Sequence, residues 1–192
     1  MANDVPPKRP KPKPPEKMQK VPLPDGQTVV PGIDSVQEGL IGRVVVEWSR
    51  LEGALDDMIW TLTGLCFEDG RVLTKLTDAK TKIAMLQALA PRYLIDPALA
   101  KIEEALILAD AVRLDRNFIV HGSWGTIAPM NEATAVSLRA KSAPDEITSE
   151  SFSRGRMLEI LDRIHQVKIA VYDVINTHPT SPYISDPPIP RG

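Results

Sequence analysis

Proline is distributed very unevenly along this chain, and its distribution limits where long helices can form. Nine of the 18 prolines lie in residues 1–31, whereas none lies between Gly32 and Ala90. Proline lacks a backbone N–H and interrupts a helix interior, so helices can run uninterrupted only away from these prolines. The pattern predicts three parts: a proline-rich basic arm (1–33), a folded domain (34–178) and a second proline-rich tail (179–192).

The predicted arm has few apolar residues to bury, so we expect it to be extended and disordered. Residues 1–20 carry a net charge of +4, which leaves −6 on the rest of the chain. Two interpretations remain open for the arm: it binds RNA or a proline-binding partner, or it is a solvated tail. The acidic remainder offers no general attraction for nucleic acid, so any phosphate must be bound by local groups.

Between the two ends, apolar residues recur at intervals of three and four, which is typical of helices with one buried face. A first helix is predicted from an N-cap at Asp34 or Ser35, with Glu38 completing a capping box, to a stop near Gly64. A second helix is predicted from about Thr77 to Leu89, before Pro91.

A third helix is predicted from Asp96-Pro97 to His121, with Gly122 as its cap. Its inward residues are predicted to be Leu106, Ile107, Ala111, Leu114 and Phe118. Two weakly alternating runs (123–128 and 134–140) then predict a β-hairpin or irregular insert, and a last helix starts between Thr148 and Ser153 and ends near Thr177. The expected fold is all-α, a small helical bundle with this insert before the last helix.

Composition excludes several classes of site. The single cysteine, Cys66, lies in an apolar run and is expected to be a small core residue, so no intrachain disulfide or cysteine zinc site is possible. No histidines and carboxylates stand at metal-ligand spacing, and no glycine-rich phosphate loop occurs, so no cofactor is expected. No apolar run is long enough to span a membrane, which makes the cytoplasm the expected compartment.

The segment Asp115–Gly122 holds the densest set of chemically useful side chains in the chain. Arginine clamps phosphate oxygens, an amide positions a hydroxyl or phosphate oxygen, and imidazole transfers protons near neutral pH. Arg116, Asn117 and His121 supply these three groups. They are therefore the candidate catalytic residues.

Helical geometry separates these side chains. Residues four apart lie one above the other, so Asn117 and His121 share an edge with Asp110 and Arg113. Arg116 lies five positions before His121 and points about 140° away from it. One copy is therefore an incomplete site, which a second copy in a symmetric dimer could complete. A purely structural role is the alternative: Arg116 pairs with a carboxylate such as Glu52 or Asp115, and His121 is a satisfied residue at a helix end.

The run Arg116-Asn117-Phe118-Ile119-Val120-His121 resembles the R-x4-6-H motif of the HEPN superfamily. Residues 48–52 and 121–124 are similar to segments of small bacterial HEPN-like proteins, and the resemblance extends over roughly residues 34–178. It implies a helical bundle that forms a homodimer and brings both motifs into one cleft. The long insert of about residues 123–149 and the proline-rich arm depart from simple members of the family.

Nucleolytic HEPN proteins cut RNA without a metal ion, the ribose 2′-hydroxyl attacking the adjacent phosphate. By this resemblance, Arg116 would stabilise the charge at phosphorus, Asn117 would orient phosphate or ribose, and His121 would be general acid or base. Glu52 would support the site by orienting Arg116 or His121.

The resemblance thus implies a metal-independent endoribonuclease in a toxin or phage-defence setting, with RNA as substrate and an antitoxin or other protein as partner. The alternative is a non-catalytic helical module, which dimerises or docks a partner through its apolar helix faces.

Overall fold

The structure is a computed structural model that describes residues 21–22, 28–128, 135–140 and 147–178. The predicted C-terminal tail and most of the predicted N-terminal arm lie outside these residues. Two short strands fall inside the predicted arm, β1 (Val21–Pro22) and β2 (Thr28–Pro31). The arm therefore does not extend to residue 33, because β-branched residues at 28–30 favour an extended strand.

The prediction of a helical bundle is confirmed. In the part of the chain that the structure describes, five helices make up the body: α1 (Ser35–Thr63), α2 (Phe67–Thr74), α3 (Ala79–Tyr93), α4 (Ala98–His121) and α5 (Arg154–Thr177). The central helix α1 packs against α5, α3, α4 and α2, and α4 packs against both α3 and α5. Val44, Trp48, Leu51, Leu55 and Met58 give α1 the fully buried face that the spacing predicts.

The ends of α1 follow from local chemistry. Asp34 is the N-cap, and its carboxylate accepts hydrogen bonds from the backbone N–H groups of Val36 and Gln37, both at 2.9 Å. The hydrogen bond from Gln37, together with one from the Arg154 side chain, lowers the pKa of Asp34 below its usual value. Gly64 ends the helix in the left-handed conformation, with φ of 68°, as predicted.

The region after α1 departs from the sequence prediction in two ways. The short helix α2 was not expected, and α3 starts two residues later than predicted, after its N-cap Asp78. Helix α3 also continues through Pro91 to Tyr93. Pro91 is the third residue from the end of the helix and lacks the N–H that would bond to the carbonyl of Gln87, while the N–H of Leu94 bonds to the carbonyl of Ala90 at 2.9 Å.

Helix α2 is held against α1 by a close approach of Gly70 to the buried Trp60. A Cβ atom at position 70 would lie 2.5–2.6 Å from three atoms of the indole ring. The edge of the Phe67 ring also meets Trp60, at a centroid distance of 5.6 Å. Glycine at position 70 therefore allows α2 to dock on α1.

We expect Gly70→Ala to destabilise the fold by about 1–3 kcal/mol, because a rigid ring cannot move away from the new methyl group. Urea denaturation measures the change in the free energy of unfolding. Gly53→Ala in α1 is the matched control, since a Cβ atom at position 53 would have nothing within 4 Å of it. It should be stabilising by roughly 0.5–1 kcal/mol; equal effects of the two substitutions would contradict the packing of Gly70 on Trp60.

The limits of α4 are close to the prediction, but the predicted inward face is wrong in part. Leu106 is buried and Phe118 is partly buried, whereas Ala111 is exposed and Ile107 and Leu114 are 68% and 54% exposed. The buried positions of α4 are Ile102, Ala105, Leu106, Ala109, Val112 and Ile119. Apolar residues occupy two faces of this helix, so periodicity alone could not decide which face meets the bundle.

The predicted hairpin is confirmed and belongs to a larger antiparallel sheet. The strands β3 (Ser123–Ala128) and β4 (Ala135–Ala140) pair with each other, and β5 (Ile147–Phe152) follows on β4. With β2 pairing on β3, the order in the sheet is β1-β2-β3-β4-β5. Because β5 takes up residues 147–152, α5 begins only at Arg154, after its N-cap Ser153. The predicted turn around residues 130–132 lies outside the described residues.

Candidate functional site

Arg116 lies on the side of α4 that faces α1. Its guanidinium carbon is 6.0 Å from the ring centroid of Trp48, which is 1% exposed. The Nη1 atom donates a hydrogen bond to Oδ1 of Asn117 at 3.3 Å. Arg116 is thus hydrogen bonded to the next residue of the helix while its guanidinium lies beside the buried indole.

Arg116 has no carboxylate partner among the described residues. Asp115, one of the two acids that sequence reasoning offered, pairs with Arg156 at 2.8 Å. Glu52, the other, makes no hydrogen bond or ion pair with any part of the chain that the structure describes. The Nε atom of Arg116 is buried without an acceptor in the described structure. Within the described ranges, the guanidinium therefore keeps an unused donor at Nε and has no carboxylate to neutralise its charge.

Arg156, at the start of α5, forms ion pairs with two acidic side chains, Asp115 on α4 and Glu150 on β5. Its Nη2 bonds to Asp115 and its Nη1 to Glu150, each at 2.8 Å, and Nη1 also bonds to the carbonyl of Ser151. Its guanidinium lies 4.3 Å from the ring centroid of Phe152. Burial alone would lower the pKa of Arg156, but the hydrogen bonds to Glu150 and Asp115 outweigh it and the pKa is raised. Because Arg156 engages Asp115, that carboxylate is not a partner of Arg116.

His121 is the last residue of α4, and its side chain is exposed. It makes no hydrogen bond or ion pair with any described residue. The helix end beside it is well defined: Gly122 N–H bonds to the carbonyl of Phe118 at 3.0 Å, and the indole N–H of Trp124 bonds to the carbonyl of Ile119 at 2.9 Å. The imidazole is therefore presented to solvent on a fixed backbone.

A single copy brings together two of the three predicted catalytic residues. Arg116 and Asn117 are hydrogen bonded, while His121 makes no hydrogen bond with either of them and stands one helical turn beyond Asn117 on the same edge. Asp110 and Arg113 on that edge neutralise each other through a 2.7 Å ion pair. The predicted supporting residue Glu52 makes no hydrogen bond or ion pair with Arg116 or His121.

The other chemically interesting residues lie outside this site. Cys66 is exposed, in contrast to the predicted core position, because it caps α2 at the surface; its thiol donates to Asp69 at 3.4 Å. His165 is exposed on α5, as expected of a solvated face. Within the described ranges, no three histidine, cysteine or acidic side chains group as a metal site.

Comparison with known proteins gives no match: no family model, no curated protein and no solved structure matches this chain. Among the helices that the structure describes, none is long and apolar enough to cross a membrane. The geometry of Arg116, Asn117 and His121 is therefore the basis for assigning a function.

Proposed function

We propose that this chain is a HEPN-like, metal-independent endoribonuclease whose catalytic residues are Arg116, Asn117 and His121. One observation carries the proposal: Arg116 has no carboxylate partner in the described structure, while Asp115, the acid next to it in sequence, is engaged by Arg156. A structural arginine at this depth would be expected to pair with an acid. An arginine that has no carboxylate partner among the described residues and lies beside an amide is suited to bind a phosphate.

The proposed reaction needs RNA, these side chains and solvent water, which makes the one proton transfer that His121 does not make. The ribose 2′-oxygen bonds to the adjacent phosphorus, the bond from phosphorus to the 5′-oxygen of the next nucleoside breaks, and the 2′-proton is lost as the 5′-oxygen gains one. His121 supplies one of these two proton transfers. Arg116 stabilises the negative charge that builds up on the phosphate oxygens, and Asn117, bonded to Arg116, holds the phosphate or ribose in place.

Binding of RNA by this chain depends on local charge. Phosphate neutralisation normally supplies much of the affinity for nucleic acids. The six lysines and arginines of residues 1–20 are the densest source of positive charge in the sequence. We include in the proposal a toxin or phage-defence setting, in which a protein antitoxin would restrain the nuclease.

The chemistry of the products tests the proposed reaction. Purified protein is incubated with a labelled RNA oligonucleotide in the presence of a metal chelator, beside the same oligonucleotide with 2′-deoxyribose throughout. We expect the RNA to be cut to products with a 2′,3′-cyclic phosphate and a 5′-hydroxyl, identified by mass, and the deoxy oligonucleotide to remain intact. Cutting of the deoxy oligonucleotide would contradict attack by the 2′-hydroxyl.

A second candidate function is a non-catalytic helical module that dimerises or docks a partner. The observation in its favour is the exposed apolar face of α4, where the side chains of Ile107 and Leu114 are open to solvent. If this function is correct, Arg116→Ala and His121→Ala change assembly or stability. Neither substitution then changes how much of the added RNA is cleaved.

A further inference from the structure

Arg156 joins the β-sheet to the part of α4 that carries the candidate site. Its two terminal nitrogens bond to acids on different elements, Asp115 on α4 and Glu150 on β5, each at 2.8 Å. Asp115 directly precedes Arg116 in the sequence. The planar fork of an arginine can hold two carboxylates at fixed positions, whereas the point charge of a lysine cannot reproduce that geometry.

A cluster of aromatic rings fixes Arg156 against the same turns of α4. Its guanidinium carbon lies 4.3 Å from the ring centroid of Phe152, which is fully buried. The Phe152 ring meets Phe118 of α4 at a centroid distance of 6.5 Å and Trp124 of β3 at 5.9 Å. Phe118 directly follows Asn117, so these contacts hold the helical turn that carries the site.

The charge of Asp115 matters to Arg116 because of where it lies. The side chain of Asp115 is 19% exposed, so water screens its charge only in part. Arg116 has no carboxylate partner among the described residues, and Asp115 is the residue directly before it. A carboxylate released beside Arg116 would offset part of the positive charge that attracts a phosphate.

We propose that Arg156 is a positioning residue of this site, which keeps Arg116 available to a phosphate by neutralising Asp115. Arg156 acts through Asp115 and need not touch the substrate. This role rests on the proposed function for its ligand, a phosphate group of an RNA chain, but it does not depend on the cleavage step.

Binding of an uncleavable RNA tests this role. The probe is a fluorescent single-stranded oligonucleotide with 2′-O-methyl groups throughout, which lacks the attacking hydroxyl. Fluorescence anisotropy with the full chain gives its dissociation constant. We expect Arg156→Met to raise this constant by about tenfold or more, because the released Asp115 opposes binding of a phosphate at Arg116.

A second substitution separates the effect of charge from the effect of packing. Arg156→Met combined with Asp115→Asn removes the released charge together with its partner, so we expect a dissociation constant within about threefold of wild type. A purely structural Arg156 would give no such recovery, since the double variant also lacks the ion pair between α4 and α5. A double variant that binds as weakly as Arg156→Met would overturn the proposal.

The matched control is Arg156→Met combined with Glu150→Gln. It removes one carboxylate charge from the other partner of Arg156, an acid on β5 whose only ion pair in the described structure is with Arg156. We expect this change to restore no binding. Equal recovery from Asp115→Asn and from Glu150→Gln would mean that net charge controls binding, and would remove the specific role of Asp115.

The single variant Asp115→Asn gives a measurement that does not require Arg156→Met to fold. It leaves Arg156 paired with Glu150 and should bind the oligonucleotide at least as tightly as wild type. Binding weakened by about tenfold would mean that the ion pair acts through its geometry and not through the charge of Asp115, which contradicts the proposal. Urea denaturation of every variant shows whether it is folded under the conditions of the binding assay.

Cleavage of an unmodified RNA by wild type is measured separately, so the two proposals fail separately. RNA that wild type binds but does not cut would contradict the nuclease, while the comparison of variants still decides the role of Arg156. Equal dissociation constants for wild type and Arg156→Met would overturn that role and leave the nuclease standing. A wild-type chain that binds no RNA would contradict both.

Discussion

His121→Ala should slow RNA cleavage by about 10²–10⁴-fold, the usual contribution of a positioned general acid or base. The fold should not change, because the imidazole is exposed and makes no hydrogen bond or ion pair with the described residues. Single-turnover rates on a labelled RNA oligonucleotide, with protein in excess, measure the chemical step without substrate turnover. Circular dichroism of the same preparations checks the fold.

The matched control for this prediction is His165→Ala. His165 is also an exposed histidine on a helix, but it lies on α5 and makes no hydrogen bond or ion pair with Arg116 or Asn117. Its replacement should leave the cleavage rate within about twofold of wild type, a change equivalent to less than about 0.5 kcal/mol. Equal losses in the two variants would mean that the histidines act through charge or folding, and His121 would lose its assigned role.

Asp56→Ala should destabilise the fold by about 3–5 kcal/mol, since it leaves a buried ammonium group without its counter-ion. Lys82 in α3 bonds to Asp56 in α1 at 2.8 Å, and the Lys82 side chain is only 9% exposed. The pair joins two helices of the bundle through residues that are 26 positions apart in sequence. Urea denaturation, with the slope checked for two-state behaviour, measures the loss of unfolding free energy.

Replacing both members of this pair separates the effect of an unpaired charge from the effect of a lost contact. Asp56→Leu combined with Lys82→Met substitutes apolar groups of similar size, which is often neutral or stabilising in buried ion pairs. We expect the double variant to be markedly more stable than Asp56→Ala. A double variant as unstable as the single one would show that packing at this point, and not the unpaired ammonium, dominates the loss.

The sequence predicts the helical body because its signals are local. The spacing of apolar residues in α1 and the residues Asp34 and Gly64 at its ends act within a few positions, and the structure follows them. The face that α4 presents to the bundle depends on tertiary packing. Ile107 and Leu114 are as apolar as the residues that are buried, so the pattern admits two inward faces.

The sequence indicates which residues form the candidate site, but it does not indicate which charged side chains pair with one another around it. Arg116, Asn117 and His121 stand out in sequence, and helix geometry places Asn117 on the edge of His121. No local signal connects Arg156 with Asp115, which is 41 positions away. That ion pair takes Asp115 away from Arg116, which has no other acid partner in the described part of the chain, so the strongest support for a phosphate site comes from tertiary structure.

Cleavage of RNA by stoichiometric protein in a metal chelator tests the account most directly, with wild type compared with Arg116→Met. Methionine keeps an unbranched side chain over Trp48 but removes the charge and the donors. We expect wild type to cut the RNA and Arg116→Met, folded by circular dichroism, to cut it at least about a hundredfold more slowly. RNA left intact by the wild-type protein, or cut equally fast by both, would contradict the assignment of Arg116 to a phosphate-binding catalytic site.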